Sequence, residues 1–104
     1  MHIDTLIQRL REALPAINSE AQAKSFLQNF ELSDQMALVT AYYIGNKHLH
    51  ENELMPDTGR VHRTLHDHIE PSGYADIIHK KRFAISDAMN SFLRCTTQQQ
   101  RNDF

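Results

Sequence analysis

A chain of 104 residues, 40% of them apolar and 23% charged, has room for one core and is neither disordered nor low-complexity in composition. Eleven basic residues against thirteen acidic ones give a formal charge of −2, which excludes the basic excess of a duplex-binding domain. Partial protonation of seven histidines brings the charge closer to zero at pH 7, so little self-repulsion opposes association. Cys95 is the lone cysteine and cannot form an internal disulfide. The first residues lack the cationic and apolar regions of a secretory leader, and no apolar run approaches the ~20 residues of a membrane span. The expectation is a cytoplasmic protein with neither membrane nor nucleic acid as a partner.

Apolar positions recur with a period near 3.6, and no useful length alternates as a strand does. Ile3, Leu6, Ile7, Leu10 and Leu14 form the stripe of a first helix that Pro15 ends. Ser19 and Gln22 have capping-box spacing, which starts a second helix over residues 20–30 with Ala23, Phe26, Leu27 and Phe30 on one face. Ser33-Asp34 opens a third helix, Gln35 to Ile44. Its Met36, Leu38, Val39, Tyr42, Tyr43 and Ile44 are spread around the circumference. A helix apolar on all sides belongs in the centre, so Val39 and Tyr43 are expected among the most buried residues. Gly45-Asn46 offers a left-handed stop. Lys47 to Asp57 is a polar connection closed by Pro56.

Val61, Leu65 and Ile69 then predict a fourth helix, Thr58 to Ile69, ended by Pro71-Ser72-Gly73. Ser72 caps a long fifth helix with the stripe Tyr74, Ile77, Ile78, Ile85, Ala88, Met89 and Phe92. The sum is an all-α, compact single-domain bundle of about five helices over residues 1–95, with a polar, frayed tail at 96–104.

Six histidines lie between His48 and His79, and imidazole is both the commonest metal ligand and the group that titrates near neutral pH. On a fourth helix, His62, His66 and Glu70 fall at i, i+4 and i+8 on one face, enough for three ligands to zinc or a similar divalent metal. His48 and His50, in the preceding loop, complete the shell in that reading. Arg63 argues against it. It stands where a zincin helix carries its catalytic glutamate, it repels a cation, and it pairs with Asp67 one turn on in the plainer reading of a polar helix flank. His68 is expected half-buried, and His79 at the surface. The hydroxyls of Tyr42 and Tyr43 need partners, and a histidine of the fourth helix is expected to serve one of them.

Two residues of the fifth helix conflict with its stripe. Lys81 falls near the stripe's centre, so it must snorkel, pair or mark a break. Phe83 lies opposite the stripe, with no place in a monomer core if the helix is continuous. Other function classes find little support. No glycine-rich phosphate loop is present, Cys95 has no histidine near it in sequence, and residues 35–44 lack the side chains that read base edges. The expectation is a small non-enzymatic helical protein working through protein contacts, as a homodimer or with a protein partner. Phe83, His79 and Asn90 form its interface. A metal- or proton-handling protein built on the histidine cluster is the alternative.

Overall fold

The third helix sets the architecture, because it has no polar side to give to solvent. In a computed structural model describing residues 1–51, 53–54 and 61–104, five helices and no strand occur among those residues. They are α1 (Ile3–Ala13), α2 (Glu20–Leu27), α3 (Leu32–Lys47), α4 (Tyr74–Cys95) and α5 (Gln98–Asn102). Around α3, Ala37, Leu38, Val39, Ala41, Tyr42 and Ile44 are all buried. Its most extensive packing is against α4. The all-α reading of the sequence holds, with α3 enclosed as its composition demands.

The first two helices follow their local signals. His2 Nδ1 accepts the Asp4 N–H (3.0 Å) at the start of α1, and Ile3, Leu6, Ile7 and Leu10 face the core. Pro15 then sits in a 3-10 turn, Leu14–Ala16. At α2, Ser19 Oγ accepts the Gln22 N–H (3.1 Å), while the Gln22 side chain reaches one residue beyond the box to accept from Asn18 N–H (2.7 Å). The helix stops at Leu27 rather than 30. Gln35 explains the early stop: its side-chain amide donates to the carbonyls of Leu27 (2.9 Å) and Phe30 (3.0 Å), satisfying orphan groups of the helix end.

Gly45 does not terminate α3, which runs on to Lys47. It lies where α3 crosses α4. A Cβ placed on it would overlap the Ala88 carbonyl and press on the Phe92 amide. The glycine therefore serves a close backbone approach rather than a left-handed cap. The aromatic pair is also reversed: Val39 is buried as expected, but Tyr42 (3% exposed) takes the core position and Tyr43 is half-buried beside it.

The expected fourth helix is absent over its described part. Thr58 and Pro56 lie outside the described residues, and 61–70 form successive turns closed by i→i+3 bonds, such as Leu65 N–H to His62 O (3.2 Å) and Asp67 N–H to Thr64 O (3.1 Å). The reason lies in Arg63. Its carbonyl, which a helix would offer to the Asp67 N–H, instead accepts from the buried Thr40 hydroxyl on α3 (2.8 Å). Its guanidinium ignores Asp67 and reaches Asp34 (3.0 Å), Ser33 Oγ (3.1 Å) and the carbonyls of Met1 (3.0 Å) and Phe104 (2.9 Å). Asp34 is buried at the start of α3 and also takes the Met1 amino group (3.1 Å). Burial alone would raise its carboxyl pKa, but the two cations outweigh that and hold it below the usual value.

α4 is one continuous helix through Lys81, which is exposed, so the sequence conflict there is not a bend. A 3-10 turn, Pro71–Gly73, precedes it, and Gly73 rather than Ser72 occupies its N-cap without a side-chain bond. Residues 96–104 are not frayed. Thr97 and Gln100 form a reciprocal capping box (3.1 and 2.8 Å) that starts α5, Arg101 pairs with Asp4 (3.0 Å), and Phe104 is buried with its ring 5.2 Å from that of Phe92.

Two substitutions test this framework by urea denaturation. Gly45→Ala, which in an ordinary helix interior stabilises, is expected to cost about 1–3 kcal/mol, because two backbones must separate. Arg63→Ala is expected to cost about 3 kcal/mol, since Asp34 loses a charged partner and two carbonyls lose a donor. A neutral result for either would remove that contact from the framework.

Candidate functional site

The two regions singled out by the sequence, the histidine segment and the outer face of α4, fare differently. Without helical backbone at 61–70, His62, His66 and Glu70 do not form a ridge at i, i+4 and i+8. His62 is exposed, its Nδ1 2.7 Å from Thr64 Oγ1, and Glu70 is exposed ahead of the Pro71 turn. His48 pairs with Glu51 (2.6 Å) in the loop after α3, and His50 is exposed. That loop is held to the end of α4 by Arg94, which donates to the carbonyls of Leu49 and Glu51 (both 3.2 Å). Among the described residues no three His, Cys, Asp or Glu side chains converge as metal ligands would.

His66 is the one member of the cluster with a built environment. It stacks on Tyr43, with ring centroids 5.1 Å apart and planes 8° from parallel, and the His68 ring lies 5.6 Å away. The expected histidine–tyrosine contact is therefore a ring stack and not a hydrogen bond to a tyrosine hydroxyl. His68, expected half-buried, is exposed instead. Burial pushes the His66 imidazole below its usual pKa, and the charges of His68 and Lys47 act in the same direction. Cys95 is buried, and burial pushes its thiol pKa up, the opposite of what a nucleophile needs.

The outer face of α4 is built around Phe83. The stripe Tyr74, Ile78, Ile85, Ala88, Met89 and Phe92 turns inward against α3, which leaves Phe83 86% exposed near the middle of the helix. The Arg82 guanidinium lies 4.5 Å from the centre of its ring, and Arg82 also donates to the His79 carbonyl (2.6 Å). Beside it is a cleft of about 350 Å³, formed where α4 meets the Leu14–Ala16 turn and lined by Leu14, Pro15, Ile17, Arg82, Phe83 and Ser86 among others. Of the other residues expected around Phe83, His79 is half-buried and Asn90 is exposed, accepting from Arg11 of α1. The cleft itself was not foreseen. Its walls come from two segments distant in sequence, residues 11–18 and residues 82–86 of α4, and no local pattern brings them together.

No protein-family model matches the chain, and the same comparison made with curated proteins and with solved structures finds no match.

The His66 stack makes stability depend on pH in one direction. The folded state binds a proton at His66 less readily than the unfolded chain does. This contribution is therefore complete above about pH 6.5 and is lost as pH falls through the lower folded value. The urea midpoint is expected to fall between pH 7 and pH 5.5. In His66→Phe, which keeps a stacking ring but cannot titrate, the fall should be shallower. An equal slope in both proteins would separate His66 from the effect.

Proposed function

We propose that this chain works by protein contact rather than by chemistry of its own, as a small helical module that pairs with a second copy through Phe83. One observation carries the reading: a largely exposed phenylalanine ring stands at the middle of a continuous helix, on the rim of a cleft whose apolar floor of Leu14, Pro15 and Ile17 is flanked by Arg11, Asn18 and Ser86. Burying such a ring is worth about 1.5–3 kcal/mol. Single large aromatics seated in clefts are common anchors of interfaces.

A second copy suits this surface for two reasons. Knob and cleft lie side by side on the same subunit, so a twofold axis beside Phe83 lets each ring enter the other's cleft, as an isologous contact requires. The formal charge of −2 leaves little repulsion between copies. A standard interface covers about 800 Å² per partner, a modest share of the 5,976 Å² this subunit exposes.

Sedimentation of wild type against Phe83→Asp tests the reading. Wild type is expected to sediment as a dimer at high concentration. The variant should be monomeric with an unchanged helical spectrum, because a carboxylate is tolerated in water but not in a closed apolar contact. Wild type that remains a monomer at millimolar concentration would overturn the proposal.

A further inference from the structure

The charges flanking Phe83 on α4 determine the direction in which two copies can pair. This inference rests on the self-association proposed above. At 1.5 Å and 100° per residue, Lys80 lies one turn before Phe83 and Asp87 one turn after it, both rotated to the same side of the ring. On the other side, His79 precedes and Ser86 follows at matching distances. The exposed ridge of α4 therefore reads cation, ring, anion along one flank and imidazole, ring, hydroxyl along the other.

We infer that two copies pair through α4 in antiparallel register about Phe83, with Lys80 of each opposite Asp87 of the partner subunit. A twofold axis across the helices keeps each residue on its own flank and reverses its height. Lys80 then meets Asp87 of the partner subunit twice, and His79 meets Ser86 of the partner subunit twice. A parallel arrangement carries each flank across to the opposite one at the same height, so Lys80 meets His79 of the partner subunit and Asp87 meets Ser86 of the partner subunit, and neither ion pair forms; only the antiparallel direction has complementary charges.

Both charges are free to serve. Asp87 is exposed and forms no ion pair among the described residues. Lys80 is exposed, and among the described residues its one ion-pair partner is Asp76 of its own helix (3.0 Å). An exposed i, i+4 pair of that kind holds its lysine weakly. Phe83 itself supplies the anchoring area, and the ion pairs fix register and direction around it.

Charge reversal at the two exposed positions tests the register separately from the association. Dimer dissociation constants are measured by sedimentation equilibrium at low salt for wild type, Lys80→Asp, Asp87→Lys and the double variant, with circular dichroism confirming the fold. Each single reversal sets like charges opposite one another twice and is expected to weaken the dimer by about tenfold or more. The double reversal restores opposite pairing and is expected to return to within a few-fold of wild type. Raising the salt should narrow all these differences. If the singles dimerise like wild type, or the double is as weak as the singles, while Phe83→Asp still dissociates the pair, the antiparallel register is wrong and self-association stands. If wild type does not associate, both fall. If wild type is monomeric yet an apolar helical peptide binds the Phe83 cleft, the occupant is a different protein, and that too overturns the register.

Discussion

A sixteen-residue helix with apolar side chains on every side cannot lie on a surface, and this single constraint organises the molecule. Helices before and after α3 in sequence have to cover it, and each spends its own apolar stripe in doing so. The stripe of α1 and the long stripe of α4 turn toward it, and their polar faces turn out. Phe83 is exposed as a by-product of that arrangement. It lies on the side of α4 opposite the residues that α3 claims, and among the described residues no other element comes round to cover it.

The polar counterpart of this constraint is Arg63. An extended guanidinium with five donors gathers the start of α3, the first residue and the last residue into one place. Without it, Asp34 would be a buried carboxylate opposite the Met1 amino group alone. It also explains the shape of residues 61–70. Side chain and carbonyl are both committed to distant partners, so the segment follows those anchors rather than its own weak helical period of Val61, Leu65 and Ile69.

How much of this was legible in the sequence depended on whether the controlling contact was local. The stripes of α1 and α4, the Ser19 cap and the all-round character of α3 are read from neighbours within a turn or two, and they appear as expected. The histidine ridge failed because its premise was helical backbone, and that backbone is overridden by Thr40 and Asp34, more than twenty residues away. Gly45 misled because a glycine near a helix end serves equally as a cap or as a crossing point, and only the neighbouring helix decides. Tyr42 and Tyr43 exchanged roles for a similar reason: on a helix with no polar side, periodicity does not say which tyrosine faces the core. The α5 cap was readable, since Thr97 and Gln100 have the spacing of a capping box, but the polar tail distracted from it. Phe83 was found because it broke a pattern, and its cleft was missed because two segments about seventy residues apart build it.

The crossing at Gly45 has a consequence for motion. Where two helices touch through backbone, no flexible side chains lie between them to rearrange and let one helix slide or roll against the other. A shift of α4 by one residue along its axis would bring a side chain into a gap that accepts none. The outer surface of α4 is therefore held in one orientation by an interlock on its inner side. In the pairing proposed above, an incoming surface would meet it already formed, with the entropy of ordering it lost during folding rather than at the encounter.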